Sequence, residues 1–392
     1  MSLLTLNAGS SSLKFSVYDR TASEERLRGH VDGVGPDMRL SVSMAGRPSQ
    51  ERALPGGARS HADALASALE VIAEAAGETV HAIGHRVVHG GPDYAEPILL
   101  DAEIEAHLRD YIPLAPLHQP HNLAGVDAAR AAFPDAPQVA CFDTAFHRTH
   151  PWVNDTFALP RKYFDRGVRR YGFHGLSYEY LAQRLAQLDP EAAKGRAIIA
   201  HLGNGASMCA LRGGVSVGAS MGFSALDGLP MGTRCGQLDP GVILHMLDHD
   251  GLDSRQITEL LYKQSGLLAL SQISSDMRTL QQSADPKAAE AIEYFVFRCR
   301  RELAAMTAIL EGLDAVVFSG GIGENSAYVR ERIGSGFGYL GFGVDAERNA
   351  AANGDASLIS PQGAAVRAWA IRTDEECMIA RHTAELVGLA NP

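Results

Sequence analysis

Lysine is scarce in this chain. There are five in 392 residues and none follows a glycine, so the G-K-[ST] end of a P-loop has no counterpart and that class of nucleotide enzyme is excluded. Cysteine is equally sparse: Cys141, Cys209, Cys235, Cys299 and Cys377 are odd in number, widely separated and form no C-x-x-C. Neither a disulfide framework nor a zinc site is expected from that pattern. Positive charge is in deficit, 35 Lys and Arg against 46 Asp and Glu, which argues against a nucleic-acid or anionic-membrane partner. Any anion bound here must sit in a local positive pocket. No run of about 18 apolar residues occurs, as a membrane helix would need, and Met1–Asn7 carries neither a basic segment nor a cleavage-site pattern. Together with the reduced-thiol pattern, this predicts a cytoplasmic location.

What remains is globular. With 46% hydrophobic and 21% charged residues the composition is ordinary, and a chain of this length is expected to form two domains. Glycine is in excess, 40 residues, and clusters after apolar runs. Leu3–Leu6 reads as a strand that enters the turn Asn7-Ala8-Gly9-Ser10-Ser11-Ser12, and Leu13–Tyr18 leaves it as a second strand. His61–Ala76 has helical spacing, and Val80–His89 is a β-branched run that ends at Gly90-Gly91. Between Tyr111 and His121, Pro113, Pro116 and Pro120 interleave with Leu and His, and Pro134 follows, which predicts a rigid loop. Ala197–Ala200, His201–Gly205 and Met208–Leu211 repeat the opening strand-turn-strand, with Asn204 placed like Asn7, and hint at a duplicated domain. Asp285-Pro286 starts a long helix that runs to Gly312; Ala315–Phe318 is a strand, Ser319–Asn325 a turn, and Val366–Ile371 a last strand before a C-terminal helix capped at Thr373–Glu376.

Three glycine-rich turns after strands, Asn7–Ser12, His201–Gly205 and Gly320–Asn325, suit backbone N–H groups that cradle phosphates. The G-x-G-x-x-G at Gly336–Gly341 follows a helix-like stretch and opens none, so it reads as a loop. His81, His85 and His89 fall on a strand and would not converge on a metal; they are expected to be structural. Arg86, at the end of that strand beside a glycine turn, offers a bidentate fork for carboxylate or phosphate. Arg234 lies in a second glycine-flanked loop, and Asp143 in an apolar, aromatic stretch. Asp143 either joins a buried ion pair or, with Asn7 and Glu375 as further oxygen donors, holds Mg²⁺. A different class is open at Gly218-Ala219-Ser220-Met221-Gly222, which matches a nucleophile elbow with Ser220 as nucleophile and His245, His249 or His382 available downstream, although the following stretch with Pro230 lacks the helix an elbow requires.

Read in order, several segments resemble the acetate kinase family, part of the actin-like superfamily with sugar kinases and heat-shock chaperone ATPases. They are Asn7–Phe15, His85–Gly91, Pro113–His118, Phe142–His147, Tyr171–Gly175, His201–Gly205, Met231–Arg234, Gly320–Ser326 and Thr373–Ala380. The resemblance implies an α/β fold of two ribonuclease-H-like (actin-like) domains with an interdomain cleft. The first would span 1–145, completed by a C-terminal helix at 377–392, and the second, nucleotide-binding, 146–376. It also implies a homodimer that converts ATP and acetate to ADP and acetyl phosphate, reversibly and with Mg²⁺ or Mn²⁺.

Carried over by residue, the resemblance assigns Asn7, Asp143 and Glu375 to the metal, with Glu376 as neighbour. Arg86 and Arg234 would bracket the carboxylate and the phosphoryl group in transfer, with His174 and Asn204 donating to its oxygens and His118 nearby. Ser10, Ser12, Lys14, His201, Leu202, Gly203, Asn204, Gly205, Gly321, Ile322, Gly323, Glu324 and Asn325 would hold the nucleotide, with Asp276, Met277 and Arg278 on the adenosine side. Val88, Leu117 and Phe173, with Ala225, would line the acyl pocket. A carboxylate is already a nucleophile, so Asp143 is expected to position groups rather than to act as a base.

The chain departs from the family pattern in places. Gly218-Ala219-Ser220-Met221-Gly222-Phe223-Ser224-Ala225 stands where the family usually has Asp-Thr-Ser-Met-Gly-Phe-Thr-Pro, Cys235-Gly236-Gln237 replaces Ser-Gly-Asp, and Gln119 replaces a common Asn. Loss of the proline at 225 removes bulk beside the acyl pocket, so propionate is expected to compete with acetate, a difference of one methylene.

Overall fold

The computed structural model describes residues 2–9, 12–33, 38–44, 49–53, 60–76 and 79–389. Ser10 and Ser11 of the first glycine turn lie outside the described residues. The chain divides into two compact units, Met1–Phe146 with Asp374–Pro392, and His147–Thr373.

In the first unit, strands β1 (Ser2–Ala8), β2 (Ser12–Asp19), β3 (Glu25–Asp32), β4 (Arg39–Met44), β5 (Gln50–Ala53), β6 (Val80–Val87), β7 (Ile98–Leu99) and β8 (Gln138–Phe142) form one sheet in the order β5-β4-β3-β2-β1-β6-β8-β7. The β1–β5 meander is antiparallel, whereas β1, β6 and β8 run parallel. Parallel strands must be covered on both faces, and β1 is buried at every position. Alternate residues divide the work as a period of two requires. Leu4 and Leu6 join Ala64, Leu65, Ala68 and Ile72 of helix His61–Ala76 and Ala128 and Ala129 of helix Gln119–Ala132. Leu3, on the other face, meets Ala82, Ala380 and Ala384, the last two from the C-terminal helix Glu375–Leu386. A Cβ at Gly84 would collide with Thr383 and Ile379, so only glycine lets that helix lie so close to β6.

The proline-rich stretch is a loop only as far as His118, with a 3-10 turn at Ile112–Leu114. Helix Gln119–Ala132 starts inside it. Pro120 occupies the first turn, where no intrahelical N–H partner is needed, so the rigid-loop expectation extends too far.

The second unit contains β9 (Arg196–Leu202), β10 (Ala206–Arg212), β11 (Val215–Ala219), β12 (Ala315–Ser319), β13 (Ala356–Leu358) and β14 (Arg367–Ile371), ordered β11-β10-β9-β12-β14-β13. The directions along that order are antiparallel, antiparallel, parallel, parallel, antiparallel. The six strands β3-β2-β1-β6-β8-β7 of the first unit have the same sequence of directions. The duplication hinted at by Asn7 and Asn204 is therefore real at the level of topology, and each unit has the ribonuclease-H-like pattern of the actin-like fold. The long helix Pro286–Leu310 begins as expected, with the Asp285 carboxylate accepting from Lys287 N at 2.9 Å and Pro286 in the first turn. Ser319–Asn325, expected as a turn, instead winds into the helix Gly320–Asn325. At its start Gly320 has φ 72°, and a Cβ there would press on the Leu202 carbonyl at 2.7 Å.

Candidate active site

Parallel strands deliver their carboxyl ends to one edge of a sheet, where α/β proteins gather ligands. In the first unit that edge carries Asn7 from β1, Arg86 from β6 and Asp143, which directly follows β8. Arg86 Nε donates to Asp143 Oδ1 at 2.9 Å, Nη2 closes the fork on Oδ2, and Nη1 donates to Asn7 Oδ1 at 3.2 Å. Glu375, first residue of the C-terminal helix, brings Oε2 to 3.8 Å from Arg86 Nε. Asp143 is 1% exposed. Burial alone would lower the Arg86 pKa, yet Asp143 and then Glu375 hold it above its ordinary range, so the guanidinium stays charged. Of the two glutamates, Glu375 faces Arg86. Glu376 has its pKa raised by burial and by Glu375, against the opposing charges of Lys14 and Arg28. The sequence left Asp143 between ion pair and metal ligand; the ion pair is present.

The corresponding edge of the second unit carries a cavity of about 610 Å³ lined by Gly203, Asn204, Ser275, Asp276, Met277, Arg278, Gln281, Gly321, Ile322, Asn325 and Ser326, a volume suited to a nucleotide-sized ligand. The Asp276 carboxylate caps the helix Met277–Gln282 by accepting from Thr279 N at 3.0 Å, which holds its pKa down. Glu324 turns back to accept from Gly320 N (2.9 Å), Ser319 Oγ (3.2 Å) and Thr373 N (3.1 Å). It therefore braces the glycine turn instead of lining the cavity, and Gly323 is buried. Leu202 is likewise buried, as the last residue of β9.

His174, in the left-handed region at φ 59°, stacks on His201 with ring centroids 4.4 Å apart. Its Nδ1 meets Ser207 Oγ at 2.8 Å, and His201 Nδ1 meets Ser177 Oγ at 2.8 Å. A methyl group at Gly205 would lie 3.0 Å from His174 Nε2 and 3.5 Å from Arg234 Nη2. The imidazole and the guanidinium thus converge beside the turn that lines the cavity. Asn204 joins them: its carbonyl accepts from Gly232 N at 3.3 Å, two residues before Arg234. Arg234 Nη1 donates to the Ala225 carbonyl at 2.9 Å.

The remaining expected residues are distributed over both units. Lys14 is an exposed residue of β2, paired in register with Asn7; Ser12 opens β2, and its carbonyl accepts from Gly9 N at 2.8 Å. Ser10 lies outside the described residues. His118 immediately precedes helix Gln119–Ala132, Val88 is buried with its N–H on Asn122 Oδ1 at 2.9 Å, and Leu117 is half-buried. Val88 and Leu117 belong to the first unit, Phe173 and Ala225 to the second. Ser275, Gln281 and Ser326 line the cavity without having been expected. Their only trace in the sequence is adjacency, Ser275 to Asp276 and Ser326 to Asn325, while Gln281 arrives through the turn of helix Met277–Gln282.

The nucleophile-elbow reading fails. Ser220 follows β11 but no helix follows it before Pro240, and its buried Oγ accepts from Met208 N at 2.8 Å, completing the edge of a sheet. His245, on helix Pro240–Asp248, and His249, which follows it, are exposed with their rings tilted against each other at 4.7 Å, and His382 belongs to the other unit.

Residues 2–381 match the model of the acetokinase family. The chain belongs to the acetokinase family. It is 51% identical to an acetate kinase of Methylocella silvestris, over 98% of each chain, and 49% identical to one of Nitrobacter hamburgensis, over 98% of this chain and 96% of that one. Among solved structures, a propionate kinase of Francisella tularensis superposes with a TM-score of 0.91 at 35% identity, and an acetate kinase of Porphyromonas gingivalis with 0.89 at 34%, each covering 98% of this chain and 99% of the other. As an acetokinase family member the protein is a phosphotransferase. No helix of the described residues is long and apolar enough to cross a membrane.

Two departures from the family pattern have a visible structural use. Gln119 is fully buried; its Oε1 accepts from His89 N at 3.2 Å, and its Nε2 donates to the carbonyls of His89 (3.0 Å) and Leu108 (3.3 Å), which fastens the turn after Arg86. Gln237 Oε1 accepts from Arg298 at 2.9 Å and Arg301 at 2.6 Å, tying the long helix to the Arg234 loop without a carboxylate. A Cβ at Gly218 would lie 3.1 Å from Ile309 Cδ1 and 3.4 Å from Asn154 Oδ1, which leaves little room for a side chain; nothing in the structure explains Ala219.

Proposed function

We propose that this chain is an acetate kinase that moves the terminal phosphoryl group of ATP onto the carboxylate of acetate, reversibly, giving ADP and acetyl phosphate. The observation that carries the reading is the convergence of His174 Nε2 and Arg234 on Gly205, beside the Gly203–Asn204 wall of the cavity. A phosphoryl group in flight spreads charge over three oxygens, and fixed donors aimed at that charge supply most of the catalysis. His174, Asn204 and Arg234 are such donors. Arg86, held charged by Asp143, offers the positive field that an acidic protein needs for a carboxylate. Acetate attacks as the anion it already is, so no base is required.

Nucleotide binding is assigned to the cavity walls: Gly203, Asn204, Gly321, Ile322 and Asn325 at the phosphates, and Asp276, Met277 and Arg278 toward adenosine. His201, Leu202, Gly205, Gly323 and Glu324 shape those turns, with Ser12 and Lys14 in supporting positions and His118 near the substrate. Val88, Leu117, Phe173 and Ala225 are the acyl-pocket residues. Asn7, Asp143 and Glu375, whose oxygens face Arg86 in the structure, are the groups that would hold Mg²⁺, or Mn²⁺, largely through substrate phosphates and water. That ion would supply neutralisation of phosphate charge. We further assign the protein to the cytoplasm, in keeping with its free cysteines, and to a homodimer, with no nucleic-acid or membrane partner.

The test is release of ADP from ATP in the presence and absence of acetate and Mg²⁺. Dependence on both supports the reading, whereas ATP hydrolysis indifferent to carboxylic acid would place the chain among ATP-driven switches. Light scattering of the purified protein checks the dimer.

A further inference from the structure

Behind the turn Gly172–His174 lies a chain of buried polar side chains that the proposed chemistry leaves without a task. His147, His150, Asp155 and Ser216 are 1%, 8%, 1% and 1% exposed. They are linked end to end: Arg169 to Asp155, Asp155 Oδ1 to His150 Nδ1 (3.2 Å), His150 Nε2 to Ser216 Oγ (2.8 Å), Ser216 Oγ to His147 Nδ1 (2.9 Å), and His147 Nε2 to the Phe173 carbonyl (3.0 Å).

The order of donors follows from the far end. A carbonyl only accepts, so His147 Nε2 carries the proton. Burial, with His150 adding to it, pushes the His147 pKa down to about 3, so the ring is neutral and Nδ1 must accept. The Ser216 hydroxyl, at 2.9 Å, is the nearest donor to it, with the Cys209 thiol 3.2 Å from the same Oγ. His150 Nε2 therefore presents an N–H to Ser216, and its Nδ1, beside Asp155, has the Asn154 amide nitrogen at 3.1 Å as a donor. Asp155, His150 and Ser216 stand in the order of a hydrolytic triad, but a serine without solvent access, its proton committed to a second histidine, cannot attack a substrate.

What the chain does reach is His174. The His147 ring also lies directly under Gly172 (φ 73°), where a Cβ would come within 2.5 Å of Cδ2. It meets Tyr178 edge-on at 5.6 Å, Tyr178 OH meets Ser207 Oγ at 2.5 Å, and Ser207 Oγ meets His174 Nδ1 at 2.8 Å. Two routes thus join His147 to His174, one through the backbone at Phe173 and one through Tyr178 and Ser207. A non-glycine residue in the left-handed region persists only where its surroundings over-determine it, and His174 is one.

We propose that His147 is a positioning residue for phosphoryl transfer, the last member of a one-way hydrogen-bond chain from His150 through Ser216 that holds the Gly172–His174 turn and so aims the His174 imidazole. The proposal rests on the acetate kinase reading, in which His174 touches the phosphoryl group. Misplacement of a reacting group by about 1 Å costs roughly 10²-fold, so a large kinetic effect is expected with little change in nucleotide affinity.

Three variants of the full chain decide it. His147→Gln places an amide nitrogen near the old Nε2 and keeps the donor to Phe173; His147→Asn is too short to reach; Ser216→Ala removes the hydroxyl that links His147 Nδ1 to His150. For acetyl phosphate formation, kcat is expected to fall at least about tenfold in His147→Asn and to stay within about threefold of wild type in His147→Gln, with the KM for ATP within about twofold in both. Hydrogen exchange of the amides of residues 172–174 should quicken in His147→Asn and not in His147→Gln. Equal losses in both variants, or wild-type kcat in His147→Asn, overturn the proposal. Should His147→Asn fail to fold, Ser216→Ala serves alone: lower kcat with unchanged KM for ATP supports the chain, and wild-type kinetics overturns it. If the wild-type protein makes no acetyl phosphate, the functional reading falls, and amide exchange in the same variants still tells whether His147 holds the turn.

Discussion

Arg86 grips Asp143 with Nε and Nη2 and reaches Asn7 with Nη1, so that one guanidinium ties together the carboxyl ends of β1, β6 and β8. The fork needs Asp143 to stay ionised while almost fully buried, and Asp143 in turn keeps Arg86 charged and aimed. Neither residue is useful without the other.

Replacing Arg86 by alanine therefore has two effects. On the proposed reading, in which the Arg86 charge acts on the migrating phosphoryl group, its loss should lower kcat by about 10²-fold or more, with ATP affinity little altered, because Arg86 does not line the cavity at Gly203 and Asp276. The Asp143 carboxylate is left buried without its cation, which costs about 3–5 kcal/mol. Arg234→Ala should show the same kcat loss, and it also removes the bond to the Ala225 carbonyl. Steady-state kinetics alongside denaturant unfolding separates the two. Wild-type kcat in either variant removes that arginine from the mechanism.

The Ala225 carbonyl accepts from Arg234, one of the donors proposed to face the phosphoryl group. Restoring the proline usual in the family, Ala225→Pro, should narrow the acyl pocket and raise the ratio of kcat/KM for acetate over propionate by about tenfold, the worth of one methylene at the low end. Side-by-side kcat/KM values for acetate, propionate and butyrate measure it, and an unchanged ratio takes Ala225 out of the pocket.

Acid should destabilise the fold through two buried histidines. Burial pushes the His85 pKa down to about 4, with the hydrogen bond that His85 Nε2 gives to Gln138 Oε1 opposing, and the His147 pKa down to about 3. Both folded values lie below the unfolded value near 6.5, so the unfolded chain takes up protons first. Their stabilising contribution is complete above about pH 6.5 and declines as the pH falls toward 4 and 3, by about 2 kcal/mol for each group at pH 5. Unfolding free energies at pH 7 and pH 5 should differ in that sense, and His85→Asn should flatten the slope. An unaltered slope in that variant would show that His85 does not carry it.

Gln119 makes three bonds to backbone groups near Arg86. Gln119→Ala leaves a buried N–H and two carbonyls unpaired, at about 1–3 kcal/mol for each group left without a partner. Lower thermal stability together with a raised KM for acetate is expected. A loss of stability with unchanged kinetics would confine Gln119 to folding.

Much of this was legible in the sequence because local rules and tertiary structure agree. Apolar runs ending at Asn7, His201 and Phe318 are strand ends, and within each unit the side chains that follow its parallel strands gather because those strands share one edge. The failures have physical causes. Pro120 looked like loop because proline breaks helix interiors, yet it is welcome in a first turn. Ser319–Asn325 looked like a turn for its glycines, but the Glu324 carboxylate, folding back on Gly320 N and Ser319 Oγ, caps it as a helix. Ser220 matched a motif whose strand is present and whose helix is missing. The chain from His150 to Phe173 left no mark, since its members lie on separate elements and only the fold brings His147 and His150 to Ser216, more than 60 residues on.

The most direct measurement is the trapping of acetyl phosphate by hydroxylamine from ATP, acetate and Mg²⁺, with the wild-type chain beside Arg86→Ala, Arg234→Ala and Ser220→Ala. The account predicts hydroxamate matching ADP mole for mole in wild type and Ser220→Ala, and a collapse of about 10²-fold in both arginine variants. ADP without hydroxamate in the wild-type chain, or a product that vanishes with Ser220 and survives loss of the arginines, would contradict it.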